Sequence, residues 1–145
     1  MHTTNIQNDD CFALRQASRH ISKLYERHLS EVGITASQFS VLRTLAGCEQ
    51  LTMVELARAM VMDRTTLSRA LQPLLRSGLV ATRSALGGSY RRLLVLLTEK
   101  GVKKLDEAAA HWAIAQTRFE ESFGKQQAAQ LRSELYRMTS EELAR

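Results

Sequence analysis

Proline is almost missing from this 145-residue chain, which holds one, Pro73, beside seven glycines. So thin a supply of turn formers argues against an all-β chain and for helices. Cysteine is scarce as well, with Cys11 and Cys48 alone. That excludes a disulfide framework and points to the reducing cytoplasm. No apolar run approaches the roughly 20 residues that span a bilayer, so no membrane segment is expected. The opening MHTTNIQNDD has neither a basic n-region nor an apolar h-region, and no secretory leader is expected either. His2, His20, His28 and His111 show no ligand spacing with cysteines or acids, which leaves no metal site to expect. Nor is there a Ser-His-Asp set, a glycine-rich phosphate loop or a catalytic carboxylate pair. The chain therefore reads as neither an enzyme nor a cofactor carrier.

What is present is an ordinary globular composition, 44% hydrophobic and 24% charged, with a formal net charge of +5. The charge is unevenly spread. From Leu56 to Arg92 there are seven arginines (Arg58, Arg64, Arg69, Arg76, Arg83, Arg91, Arg92), no lysine and one acid, Asp63. These 37 residues net +6 and the other 108 net −1. A guanidinium fork suits phosphates and guanine edges better than a lysine point charge. A block this tight is the footprint of a nucleic-acid partner rather than a merely solvated face.

The pattern along the chain is helical at both ends. Leu14, Ala17, Ile21, Leu24 and His28 recur by threes and fours from about Asp9 to Glu31, with Gly33 as a left-handed stop. Thr35 then caps a helix that turns Phe39, Leu42, Leu45 and Ala46 inward and ends at Gly47. Thr52 and Glu55 match a capping box opening a short helix to about Met60. A further helix starts at Asp63, buries Leu67, Ala70, Leu71 and Leu74, and stops at Gly78. Pro73 lies inside it and predicts a kink or an early end near Gln72, with a further turn to Ser77. Leu79–Arg83 and Arg92–Leu97 are strand candidates around a turn at Ala85–Ser89. Thr98-Glu99 opens a long helix to about Phe123, and after Gly124 a last helix carries Leu131, Leu135 and Met138.

Two short helices followed by a β-hairpin make a winged helix-turn-helix, here mainly α with a small β wing. The Asp63 helix puts Arg64, Thr65, Thr66, Ser68, Arg69 and Gln72 on its outer face, in the first turns, where a recognition helix enters the major groove. Arg76 continues that surface. Thr52 at the preceding helix start can touch backbone phosphate. Arg83, Ser89, Arg91 and Arg92 belong to the hairpin, placed for an adjacent minor groove. Residues 35–97 thus form a DNA-binding lobe on double-stranded DNA. Residues 9–34 and 98–145 form a helical region whose apolar seams predict a homodimer, with Leu14, Ile21, Leu24, Trp112, Phe119, Leu131 and Leu135 at the interface.

The run LTMVELARAMVMDRTTLSRALQPLLRSGLVATR, followed by LLVLLTEKG, resembles the MarR family of bacterial transcription regulators. The resemblance extends over nearly the whole chain, and MDRTTLSR and LTEKG are its most specific parts. It implies a triangular homodimer with interleaved terminal helices. Two winged lobes would sit on a palindromic operator in the cytoplasm and repress until a small molecule or an oxidant releases them. In this family the wing usually carries Asp-x-Arg; here Ser89-Tyr90-Arg91 keeps the arginine and replaces the acid. Asp10-Cys11-Phe12-Ala13-Leu14 with Leu24-Tyr25 further resembles the organic-hydroperoxide branch. That implies a sensor cysteine at Cys11 with Tyr25 as its partner, although Arg15 and Ala36 stand where that branch has its other tyrosines.

Cys11 itself falls in a first helical turn. The helix N-terminus and Arg15 favour negative charge there, and Asp9 and Asp10 oppose it. Tyr25 is 14 residues on, about 21 Å along a helix, so a Cys11–Tyr25 contact has to come from the other subunit. The alternatives are a structural Cys11 with an aromatic or phenolic ligand in a pocket lined by Arg15, His20 and Trp112, and, more remotely, a thiol peroxidase built on Cys11. Cys48 reads as a loop residue, with a Cys11–Cys48 disulfide as a lesser option.

Overall fold

The computed structural model describes residues 6–87 and 90–140, with backbone alone for Leu86, Gly87, Tyr90 and Arg91. Six helices and a three-stranded sheet follow in the order α1 (Asp10–Leu29), α2 (Ala36–Ala46), β1 (Leu51–Thr52), α3 (Met53–Met60), α4 (Arg64–Arg76), β2 (Val80–Gly87), β3 (Tyr90–Leu97), α5 (Glu99–Phe123) and α6 (Lys125–Ser140). Short 3-10 turns stand at Ile6–Asn8 and Ser30–Val32.

Side-chain caps set the helix starts. The Asp9 carboxylate accepts from the Phe12 N–H at 2.9 Å, and the Asp63 carboxylate from the Thr66 N–H at 2.7 Å. Thr35 with Gln38, and Thr52 with Glu55, close complete capping boxes. Thr98 caps α5 by accepting from the Gly101 N–H. Gly33 at φ 75° ends the first helical stretch, and Gly124 at φ 104° separates α5 from α6.

Of the two outcomes expected at Pro73, a kink or an early end, the early end does not occur, and the further turn to Ser77 is present. Helix α4 continues through it to Arg76. A proline removes one N–H, whereas Leu71 and Leu74, both buried, hold the helix to the core on either side of it. The Pro73 carbonyl in turn accepts from the Ser77 N–H at 3.0 Å and its hydroxyl at 2.7 Å. The hairpin is also longer than expected. β2 and β3 stay paired from Val80↔Leu97 to Gly87↔Tyr90, so Ala85–Gly87 are strand rather than turn. This outer ladder carries no apolar alternation, and backbone pairing needs none. β1 is a third strand, pairing Leu51 with Val95 and Thr52 with Leu94. At two residues it is too short to show a period.

The core joins α2 (Phe39, Val41, Leu42, Leu45), α3 (Met53, Leu56), α4 (Leu67, Leu71, Leu74) and the sheet (Val80, Val95). Leu29, Val32, Ile34 and Ala108 belong to the same cluster, so it runs on into α1 and α5. Val41 is buried where Ala46, expected inside, is exposed. In α5 the fully buried positions are the small residues Gly101, Ala108 and Ala115, seven apart. Its larger side chains Trp112 and Phe119 stay half-exposed beside them.

Candidate nucleic-acid interface

Helix α4 divides cleanly. Leu67, Leu71 and Leu74 are buried, while Arg64, Thr65, Thr66, Arg69, Gln72 and Arg76 are exposed and Ser68 is half-buried. Seven predicted contact residues therefore share the solvent side of one helix. Thr66 and, more weakly, Thr65 donate to Asp63, which holds that carboxyl below its usual range. A negative cap at the helix entrance keeps the first turn formed and leaves the Arg64 guanidinium exposed beside it.

Thr52 caps α3 and is half-buried. Its oxygen accepts from the Glu55 N–H at 3.1 Å, and its hydroxyl faces the Glu55 carboxylate. The Glu55 carboxyl is held below its usual range mainly by the Thr52 N–H, then by the Thr52 side chain, with smaller pulls from Arg92 and Arg58. On the wing, Arg83 and Arg92 are exposed. Arg83 is not a free arm, because its Nη2 donates to the Gln50 side-chain oxygen. Ser89 and the Arg91 side chain lie outside the described residues.

The sequence pattern did not single out Gln50 or Val61. Gln50 is an isolated polar loop residue with no period to mark it. Val61 ends α3 in the left-handed region, at φ 52° and ψ 45°, and is 75% exposed. A β-branched residue there is strained, and only the backbone reveals it.

The other predicted residues fall into separate places. Cys11 is exposed and lies in a shallow cleft with Phe12, Arg15, Gln16 and Arg19. Tyr25 sits on the same helix, about 21 Å along it by the helical rise. There its ring packs on Trp112 at 4.2 Å, and burial, with Glu120 nearby, pushes its phenol pKa up. Cys11 and Tyr25 do not meet within one chain. Trp112 also stacks on Phe39 at 4.3 Å and 17°, so it is packed inside the monomer. It forms the shared wall of two clefts of about 520 and 580 Å³, to both of which Arg43, Gln116 and Glu120 contribute. His20 lines a third cleft of about 550 Å³ with Ile21, Leu24, Phe119, Phe123 and Leu131. Within one chain, Arg15, His20 and Trp112 thus line separate clefts. Leu14, Leu131 and Leu135 are exposed, and Ile21, Leu24 and Phe119 are half-buried.

Cys48 is exposed, and both cysteines are free. Among the described residues no three His, Cys, Asp or Glu side chains are grouped to hold a metal. No described helix is long and apolar enough to cross a membrane.

Residues 32–88 match the model of the MarR family. The organic hydroperoxide resistance transcriptional regulator of Bacillus subtilis is 31% identical over 103 residues, which are 71% of this chain and 69% of that one. The chain belongs to the MarR family. Like its relatives, this MarR protein is a transcriptional regulator with the winged-helix architecture described above. The structure of the Mycobacterium tuberculosis regulator MosR in complex with DNA superposes with a TM-score of 0.79 at 32% identity, covering 92% of this chain and 95% of MosR. NadR in complex with 4-hydroxyphenylacetate superposes at 0.77 with 25% identity, over 98% of this chain and all of that one (100%).

Proposed function

We propose that this chain is a homodimeric, DNA-binding transcription repressor of the cytoplasm that leaves a palindromic operator when Cys11 is oxidised. The observation that carries the DNA reading is the exposed polar face of α4, from Arg64 to Arg76, opposite the buried leucines of the same helix. Two such helices related by a dimer two-fold match two half-sites. MosR, similar over nearly its whole length, is seen on DNA. Arg64, Thr65, Thr66, Ser68, Arg69 and Gln72 serve the major groove. Thr52 and Arg76 serve phosphates, and Arg92 and Arg91 serve the minor groove. Arg83 acts through its tie to Gln50 as much as by contact.

The redox step rests on the exposure of Cys11 in the first turn of α1, in a cleft that Arg15 and Arg19 line together with the opposing Asp9, and on the hydroperoxide role in the name of the Bacillus relative. The Cys11 thiolate attacks one peroxide oxygen. The O–O bond breaks, the thiolate becomes a sulfenic acid, and the alkoxide leaves to take up a proton as the alcohol. Tyr25 of the second subunit is the residue proposed to meet it.

A second signal is favoured by the clefts around Trp112. An aromatic ring can lie between Trp112 and Phe119, with Arg43 and Arg132 at hand for an acid group. NadR is seen holding an aromatic acid.

The test is operator binding, on duplexes selected from random sequence, by wild type, Arg69→Ala and Cys11→Ser, with and without cumene hydroperoxide and then a thiol reductant. Arg69→Ala is expected to bind about 10- to 100-fold more weakly while remaining dimeric. Unchanged affinity removes α4 as the reading element. Wild type alone should release DNA under hydroperoxide and rebind after reduction. Release by Cys11→Ser as well transfers the signal to the Trp112 clefts.

A further inference from the structure

The segment Thr98-Glu99-Lys100-Gly101 touches neither the predicted groove contacts nor the Cys11 cleft, yet it closes the exit of helix α4. The last turn of a helix leaves carbonyls without intrahelical partners. The chain after α4 satisfies the first of them locally. The Ser77 N–H donates to the Pro73 carbonyl, the Leu79 N–H to that of Leu74 at 2.9 Å and the Gly78 N–H to that of Leu75 at 3.1 Å. Just past the helix, the carbonyls of Ser77, Gly78 and Leu79 are taken by the N-cap and first turn of α5. Lys100 Nζ donates to the Ser77 oxygen at 2.7 Å. The Thr98 hydroxyl lies 2.6 Å from the Gly78 oxygen and 3.0 Å from that of Leu79, and the Thr98 N–H donates to Leu79 at 3.1 Å.

Gly101 makes the approach possible. A Cβ at that position would lie 2.0 Å from the Leu79 oxygen and 2.7 Å from Leu97 Cδ1. Three residue types therefore combine to close one helix end. Thr98 supplies a hydroxyl that reaches back, Lys100 an ammonium at the negative end of the α4 dipole, and Gly101 a missing side chain that lets two backbones touch.

We propose that Lys100 is a positioning residue for DNA recognition: with Thr98 it clamps the exit of α4 onto the start of α5 and thereby fixes the angle at which the outer face of α4 is presented. The inference rests on α4 being the recognition helix. Lys100 aims its charge at a backbone carbonyl of the protein, and its effect on DNA is carried by α4. Without the clamp the last turn of α4 samples other angles. The apparent dissociation constant then rises in inverse proportion to the fraction of molecules that hold the binding geometry.

The experiment measures operator affinity for the full-length wild type, Lys100→Met and Lys100→Arg over a series of salt concentrations, with circular dichroism at the assay temperature. Lys100→Met is expected to bind about tenfold more weakly with its helical signal intact, and Lys100→Arg, which keeps a charged donor, to recover most of the loss. The slope of log affinity against log salt should stay that of wild type. A lysine that touched a phosphate would lower the slope by about 0.9 when removed. That smaller slope, or unchanged affinity of Lys100→Met, overturns the proposal. So does a binding loss that follows the loss of helical dichroism in both variants, which makes the residue merely structural. If the wild type binds no selected duplex, the operator reading fails, and this inference with it. If it binds and Lys100→Met binds equally well, only the clamp fails.

Discussion

Helices α4 and α6 carry the same kind of apolar stripe, and the structure treats the two in opposite ways. In α4, Leu67, Leu71 and Leu74 are fully covered by the chain's own core. In α6, Leu131, Leu135 and Met138 remain 39%, 36% and 40% exposed, and of its described residues Ala128 alone is buried. Helix α1 resembles α6 at its start, where Phe12 and Leu14 are open, and resembles α4 only at its end, where Leu29 is buried. The winged lobe is thus complete in one copy and can offer its polar face to another molecule. The terminal helices keep apolar faces of the kind that assembly covers. The difference separates two roles within one chain. One face is kept polar, as DNA binding requires, and the other is kept apolar, as the proposed dimer requires.

The largest test of that contrast is the double substitution Leu131→Glu with Leu135→Glu. It should leave the lobe folded, since neither residue belongs to the core cluster, and should abolish the dimer. Losing the second half-site contact then weakens operator binding by about 100-fold or more. Sedimentation and a binding titration on the same samples check it. A dimer that survives would place the interface elsewhere.

A smaller effect is expected inside the lobe at Val61. Val61→Gly removes the left-handed strain of a β-branched residue and, at 75% exposure, gives up little packing. After the extra backbone entropy of glycine the variant should be more stable by about 0.5–1 kcal/mol. Chemical denaturation reads this, and a lower stability would show that the Val61 side chain does more than end α3.

The smallest effect concerns acid. Asp63 is ionised and bonded to Thr66 in the folded chain, with its pKa lowered from 3.8. Its contribution is present above the unfolded value and is lost as pH falls below about 4 through the lowered folded value. Asp63→Asn keeps an acceptor without the titration. Its stability should therefore fall less steeply than that of wild type below that pH, as read by denaturant midpoints along a pH series. Parallel curves would show that the cap carries no linkage.

The legible features were those written in local chemistry. Every helix start that Asp9, Thr35, Thr52, Asp63 and Thr98 announced is where the structure puts it, because a cap is a bond between neighbours three residues apart. The division of α4 into a leucine face and an arginine face was legible for the same reason, as was the concentration of arginine around it. At Pro73 the sequence left a kink or an early end open, and the helix runs on because a proline costs one bond locally, while the buried leucines on both sides belong to a long-range core. The wing was read too short because paired backbone without an apolar face leaves no period. Within one chain Arg15, His20 and Trp112 line different clefts, a placement that spacing alone does not give.

The sequence by itself determined the helices, their caps, the basic outer face of α4 and the family, because these depend on residue types at short spacing. The tertiary structure alone decided that Trp112 packs on Phe39 and Tyr25, that Arg83 is tied to Gln50, that Lys100 closes the exit of α4 and that α6 is left uncovered. Each of these joins elements distant in the chain, and their meeting is set by how a shared core fills, which no local pattern encodes.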